Sequence, residues 1–392
     1  MRWVRSVAMA GVLLASSCAA RAAEPAFSFS VHGPHDALAR VWAAPDGSLV
    51  ILSGGPLTNP TAKQTWELQR VTGWAGGHPQ EQALTLEVGY GRLPPDHEIT
   101  DLSSVRVLFD PTGRYVVIRL SRYAEDAWSQ SPRTGLRAGE GPPESIVDVV
   151  DLKSFRESAH QVVTDPVLAV GDLGFNAQGV LVVNGLAAHT SHTDGDVFTD
   201  TGQWVVDTVR LPELTLEPVC RYTKVVQRLP VVTRYDPAVE RQRRAWYQQD
   251  GQRVKEEQRQ AEASCAPGLE ALGYASLVDL HDRINEVKQE FALGRLAFQD
   301  HAEPESPLGC RMESLSADRK YLLYDCDQSR VELTMFRYYR ARRVYAAGNP
   351  KPVLELGMPH GAATSGVLAA QGGVDYFVLL RGSDRIEGYR LP

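Results

Sequence analysis

A hairpin that returns at a fixed interval leaves this chain few folds to choose from. V-W-A-A-P-D-G-S-L-V-I-L begins at Val41, V-L-F-D-P-T-G-R-Y-V-V-I at Val107 and L-G-F-N-A-Q-G-V-L-V-V at Leu173. A fourth copy, E-S-L-S-A-D-R-K-Y-L-L-Y, begins at Glu313, and a looser fifth, V-L-A-A-Q-G-G-V-D-Y-F-V-L-L, at Val367. Each copy joins an apolar strand to a second strand rich in β-branched or aromatic residues through a short polar turn. Gly47, Gly113 and Gly179 are spaced 66 residues apart twice over, at the turn position where positive φ is cheapest for glycine. Arg319 holds that position in the fourth copy.

Further alternating segments follow the hairpins, at 65–72 with 83–88, 145–152, 203–211 with 215–222, 331–344 and 385–391. S-I-V-D-V-V-D-L-K-S-F-R reads as the outer pair of a four-stranded sheet, with an Asp-Leu-Lys-Ser turn. A period of this size with about four strands per unit predicts an all-β β-propeller, because each blade is one such sheet. A β-sandwich would explain shared turn chemistry but not the repeated spacing. The expected count is five to six four-stranded blades. Segments 26–31 and 385–391 both alternate like strands, so the two chain ends are expected in the same or neighbouring blades.

P-D-G-S-L-V-I-L, D-P-T-G-R-Y-V-V-I and N-A-Q-G-V-L-V-V resemble the Ser-Pro-Asp-Gly hairpins of the β-propeller superfamily, as in WD-repeat, Tol-system and Tyr-Val-Thr-Asn repeat propellers. The resemblance spans most of the chain outside about 236–305. It implies a blade hairpin and carries over no functional residue. No Trp-Asp dipeptide closes each unit, which argues against the WD subclass.

Between the third and fourth hairpins lies about two periods of sequence. From Asp236 it turns rich in Gln, Glu, Arg, Lys and Ala, with Asp236 and Pro237 placed as N-cap and first helical residue. Leu269, Leu272, Leu277, Leu280, Ile284 and Val287 then keep helical spacing. The expected organisation is a leader at 1–23, blades over 24–235, a helical insertion at 236–305 and closing blades over 306–392. The insertion is either a functional excursion or a cover for an open edge strand.

The leader reading rests on a basic start, an apolar run from Ser6 to Ala20 and small residues at Ala20 and Ala22, the pattern of a secretory signal. Removing it takes away Arg2, Arg5 and Arg21 and leaves 38 basic against 48 acidic residues, a net −10. That balance disfavours nucleic acid, whose phosphates call for a basic face. No stretch past the N-terminus approaches the ~18 apolar residues of a membrane helix. Cys18 offers a second reading, a lipid anchor, although Leu14 stands four residues before it where a lipoprotein signal has its large apolar residue three before. The expected location is periplasmic or secreted.

Cys220, Cys265, Cys310 and Cys326 remain, an even count that suggests two disulfides in an exported protein. Cys310 and Cys326 are centred on the polar turn at 316–320, so a hairpin there sets them opposite each other. Cys220 is then left to Cys265, a bridge that ties the insertion to the strand before it.

The search for chemistry finds no G-x-S-x-G, H-E-x-x-H or Walker pattern. His189, His192, Asp194 and Asp196 in H-T-S-H-T-D-G-D are the candidate ligands for a divalent metal, read against a solvated loop. V-H-G-P-H-D (His32, His35, Asp36) is a second such cluster. No other cofactor is implied. Of the tryptophans, Trp74, Trp128 and Trp246 are candidate partner contacts, because Trp is favoured at interface hot spots, while most others are expected in the core. The favoured expectation is an exported protein-binding module of a bacterial envelope, with an inhibitor or immunity-type factor as one form. A metal-dependent hydrolase or lactonase-like enzyme is the second, and a small-molecule or glycan binder using Trp128 the third.

Overall fold

The hairpin turns form for a local reason that repeats. In the computed structural model, which describes residues 24–32, 38–54, 65–88, 105–121, 145–194, 197–230, 237–284, 310–327, 330–332, 335–337, 340–347, 349, 351–358 and 364–392, each turn closes with one backbone bond across three residues. Gly47 donates to Ala44, Gly113 to Asp110, Gly179 to Asn176 and Arg319 to Ser316. The fourth residue is left-handed in all four, with φ of 79°, 76° and 79° at the glycines and 61° at Arg319. A short polar side chain fixes the turn in each case. Asp46 accepts the Ser48 N–H, Asp110 the Thr112 N–H, Asn176 the Gln178 N–H and Asp318 the Lys320 N–H, at 2.9, 2.9, 3.0 and 3.1 Å.

These hairpins seed five four-stranded antiparallel sheets, the blades of a β-propeller. Blade 1 is β2 (Leu38–Ala43), β3 (Leu49–Gly54), β4 (Thr65–Thr72) and β5 (Gln80–Glu87). Blade 2 is β6 (Val105–Phe109), β7 (Tyr115–Ser121), β8 (Ser145–Asp151) and β9 (Arg156–Val163). Blade 3 is β10 (Asp172–Phe175), β11 (Leu181–Asp194), β12 (Val197–Arg210) and β13 (Thr215–Pro230). In blade 4, β14 (Cys310–Leu315) and β15 (Tyr321–Asp327) pair with β18 (Arg340–Ala346) and β19 (Pro352–Met358). A two-stranded hairpin, β16 (Arg330–Glu332) with β17 (Met335–Arg337), is inserted between β15 and β18.

Blade 5 closes the ring with both chain ends, as expected. Its order is β20 (Thr364–Gln371), β21 (Val374–Arg381), β22 (Arg385–Arg390) and β1 (Phe27–Ser30), with Phe27 opposite Gly388 and Ser30 opposite Arg385. The closure is non-local, so ring integrity depends on a strand from the far end of the chain.

Burial explains the residue choice strand by strand. A middle strand is covered on both faces by neighbouring blades, so β3 (L-V-I-L-S-G) is buried throughout and reads as an apolar run instead of an alternation. The outermost strands β5 (Q-E-Q-A-L-T-L-E) and β9 (R-E-S-A-H-Q-V-V) are mostly exposed and correspondingly polar. Separate apolar cores join blade 1 to blade 2, blade 2 to blade 3, blade 5 to blade 1 and blade 4 to blade 5.

The next face of blade 3 packs against helices instead of a blade. Helix α2 (Pro237–Ala271) and helix α3 (Leu277–Ile284) bring Ala261, Cys265, Leu269, Leu277, Leu280 and Ile284 onto Val182 and Val206. Helix α2 starts at Pro237, the residue read as its first, and the Cys220–Cys265 disulfide staples it to β13. The second disulfide joins Cys310 to Cys326, which face each other in the β14–β15 register. A short helix α1 (Pro166–Val170), capped by Asp165, lies between blades 2 and 3; buried Ser145 donates to its Ala169 carbonyl and buried Arg119 to the carbonyl of Gly171, the residue that ends it.

Candidate functional site

Blade 3 departs from the other four in one dimension. Strands β11, β12 and β13 have 14, 14 and 16 residues, whereas every other described strand has three to eight. At ~3.3 Å per residue they run roughly 45–55 Å. Past a register shift between Leu186 and Ala188 the pairing continues, His189 opposite Gly202 and Val197 opposite Pro230, into a three-stranded arm. Helix α2, with 35 residues and hence ~50 Å long, packs on β13. Its described part over 251–260 is almost entirely exposed and charged or polar, and it is held there by pairs such as Arg259 with Glu256 at 2.8 Å.

Where the helices leave the sheet, a cleft of about 310 Å³ opens between them. Its sheet side carries Trp204 and Tyr222, cross-strand neighbours whose rings lie within 16° of parallel with centroids 6.4 Å apart. Lys224 reaches over the indole, its Nζ 6.0 Å from the ring centre. Burial pushes the Tyr222 hydroxyl up to about 12, against the lowering effect of its bond to Asn184 Oδ1 at 3.1 Å, so it stays protonated. The Trp204 indole N–H is buried and has no acceptor among the described residues, a state that costs about 1–3 kcal/mol if left unmade. The far wall is helical, with Val254, Glu257 and Gln258 from α2 and Val278 and His281 from α3. His281 Nδ1 lies 3.0 Å from Asp172 Oδ2, which ties α3 to the first strand of blade 3.

A second polar cluster sits on the outer strands of blade 2. Asp148 and His160 are opposite each other, with Oδ1 and Nδ1 2.6 Å apart, and Glu157 joins them so that the three ligand atoms fall within 4.8 Å. Asp148 is 2% exposed, and that burial, opposed by the His160 hydrogen bond, raises its pKa to about 6. Among the described residues this is the one group that brings together three side chains able to hold a metal. A third polar cluster lies in blade 4. Buried Arg342 pairs with Glu313 and with Asp325 at 3.2 Å, and donates to the Thr364 carbonyl at 3.1 Å. Burial raises the Glu313 pKa against the pull of Arg342.

The residues singled out in the sequence fall as follows. His189, His192 and Asp194 lie on β11, a strand where a loop was expected, and Asp196 is outside the described residues. His32 pairs with Glu81, Nδ1 to Oε2 3.3 Å, while His35 and Asp36 are outside the described residues. Trp74 is corrected from partner contact to core. It is fully buried, donates to the Gly47 carbonyl at 2.9 Å, and packs against Phe27 and Tyr376 at the joint of blades 5 and 1. The glycines beside it that suggested exposure, Gly73 and Gly77, are the left-handed caps of the 3-10 turn that folds it inward. Trp246 lies on α2, and Trp128, Cys18 and the leader are outside the described residues.

Asp148, His160, Trp204 and Tyr222 were not singled out as site residues. Asp148 is the lone polar residue inside S-I-V-D-V-V, and pairing that strand with R-E-S-A-H-Q-V-V is the step that would have set His160 beside it.

No family model matches the chain, and no curated protein matches it. Among solved structures it is similar to the Hadza microbial sialidase Hz136, at 9% identity and a TM-score of 0.36, covering 92% of this chain and 66% of that one. It is also similar to the β-propeller domain of the Trilobed protease from Pyrococcus furiosus (7% identity, TM-score 0.21, 88% of this chain and 79% of that one). TolB from Acinetobacter baumannii gives 8% identity and a TM-score of 0.16 over 90% of this chain and 63% of that one. The chain thus spans just under two thirds of the sialidase and TolB chains. At these scores the likeness carries no functional argument, and the propeller assignment rests on the five sheets.

Proposed function

We propose that this chain is an exported β-propeller that binds another protein through the arm of blade 3. The observation that carries the reading is the mismatch in strand length: β11–β13 run about twice as far as any blade needs, and α2 accompanies them. Such an extension orders many residues at a conformational cost that a blade of ordinary strand length does not incur. Loops and excursions on a rigid scaffold are where recognition residues collect. Two disulfides, one of them stapling α2 to β13, suit an oxidising compartment outside the cytoplasm, in keeping with the leader read at 1–23. An inhibitor or immunity-type factor of the envelope is one form that this binding takes.

The test uses the chain from Glu24 onward as bait on an extract of its own envelope. A second bait has 189–202 replaced by Asn-Gly, a two-residue hairpin turn that closes Ala188 onto Gln203, residues already paired. One protein captured in equimolar amount by the first bait and lost from the second is the expected result. A partner held equally by both would place recognition elsewhere on the ring, and no partner at all would remove the protein-binding reading.

A further inference from the structure

Val162, Val254 and Val278 are the large apolar side chains most exposed among the described residues, and two of them stand at one place. Val254, 38% exposed, and Val278, 46% exposed, both line the cleft between blade 3 and the helices. They face the Trp204–Tyr222 pair, so the cleft has an apolar rim and an aromatic floor. The floor is an aromatic pair stacked across neighbouring strands, with the ring planes within 16° of parallel.

The charges at the cleft nearly cancel. Glu257 is offset by Arg253, one helical turn earlier at 3.5 Å, and His281 by Asp172 at 3.0 Å. Glu262 spends one oxygen on the Leu277 N–H at 2.7 Å. What remains is its other oxygen, the Lys224 ammonium and the Gln258 amide, a mixture of donors and acceptors without net sign.

We propose that this cleft binds a neutral saccharide of one or two rings. A sugar ring has an apolar C–H face that lies flat on an aromatic side chain, and its hydroxyls both donate and accept. Its hydroxyls would meet Gln258, Glu262 and Lys224. A cationic ligand is disfavoured because Lys224 already stands over the indole, and an anion because it would meet Glu262. The volume, about 310 Å³, is at the small end of the about 300–1,000 Å³ of small-molecule sites, which favours one or two rings over an extended glycan. The site is separate from the protein-binding reading, since every cleft residue named here lies outside 189–202.

The experiment titrates the oxidised chain from Glu24 onward with glucose, galactose, N-acetylglucosamine, cellobiose, lactose and chitobiose by calorimetry and saturation-transfer NMR. Choline and inorganic phosphate serve as cationic and anionic probes. At least one sugar is expected to saturate. Trp204→Ala weakens it at least tenfold, and Val254→Trp, which fills the cleft from an exposed helix position, abolishes it. Val162→Trp on blade 2 leaves binding unchanged. If Trp204→Ala fails to fold, Val254→Trp decides alone. Saturation by none of the six sugars, binding that survives Val254→Trp, or saturation by choline or phosphate in place of sugar each overturns the proposal.

Discussion

Asp148 and His160 meet across the β8–β9 pair, carboxylate oxygen to Nδ1 at 2.6 Å, with the aspartate buried and the histidine at the edge. Burial outweighs the histidine and lifts Asp148 from 3.8 to about 6. Between those values the folded chain holds a proton that the unfolded chain has released, so this group makes stability fall as pH rises, levelling above about 6. Asp148→Asn, which imitates the protonated acid, removes that slope. Other carboxylates titrate in the same range, so the measurement is the difference in urea-unfolding free energy between variant and wild type. It is expected to grow in the variant's favour by about 2–3 kcal/mol between pH 4 and pH 7. A flat difference, or one of opposite sign, would mean that the histidine and not burial sets the charge of this aspartate.

The four equivalent turns make a second prediction, because one of them lacks the glycine. Arg319 takes φ 61° where Gly47, Gly113 and Gly179 take 76–79°. A side chain in the left-handed region costs about 1–2 kcal/mol. Arg319→Gly is therefore expected to stabilise the protein by about 0.5–1 kcal/mol, less than the full strain because glycine also loosens the unfolded chain. Gly113→Ala, with open space around the added methyl, isolates the backbone cost and is expected to destabilise by about 1 kcal/mol. Thermal melts of the two variants should shift in opposite directions.

These turns were legible from sequence because their cause is local: an Asp or Asn within the turn and, in three of the four, a glycine at its fourth position. The ring closure was legible for a similar reason, since A-F-S-F-S-V and R-I-E-G-Y-R-L alternate on their own. The arm of blade 3 was not. Its residues, among them T-S-H-T-D-G-D and F-T-D-T-G-Q, carry no apolar alternation, so a polar ribbon reads as a loop. The cleft was hidden because Trp204 and Tyr222 meet Val254 and Val278 only once the helices are stapled onto β13, and nothing in either segment records where the other will lie. Trp74 misled because its flanking glycines signal a turn, and a turn can point a side chain inward as readily as out.

The staple itself can be removed. Cys220 and Cys265 close a loop spanning 45 residues, for which chain-entropy arguments give about 4 kcal/mol. The Cys220→Ala, Cys265→Ala double variant keeps the apolar contacts of Leu269, Leu280 and Ile284 with blade 3 but loses that constraint. Hydrogen exchange is expected to rise through 253–284 while blades 1 and 2 keep their protection. Faster exchange in every blade alike would show that the helical pair is required for the ring and is not a separable cover.

Gly388 offers the sharpest test of the ring closure. It sits in β22 directly opposite Phe27 of β1, and a methyl added there would land inside the Phe27 ring. The phenyl lies across the bare glycine backbone and then meets Trp74 at 5.5 Å and Tyr376 at 5.6 Å, so one aromatic cluster ties the N-terminal strand to both the last blade and the first. Gly388→Ala cannot be relieved by a rotation of Phe27 alone without disturbing those two rings. Overpacking of this kind costs about 1–3 kcal/mol. Because β1 is the outermost strand of blade 5, the strain is expected to release it before the blades separate. Limited proteolysis should therefore cut near 24–32 in Gly388→Ala at protease levels that leave the wild type intact. The double variant Phe27→Leu, Gly388→Ala should recover part of the lost stability by giving the methyl room. Equal protection of the N-terminal strand in Gly388→Ala and wild type would mean that the closure is held by the β1–β22 backbone ladder and not by the seating of Phe27 over Gly388.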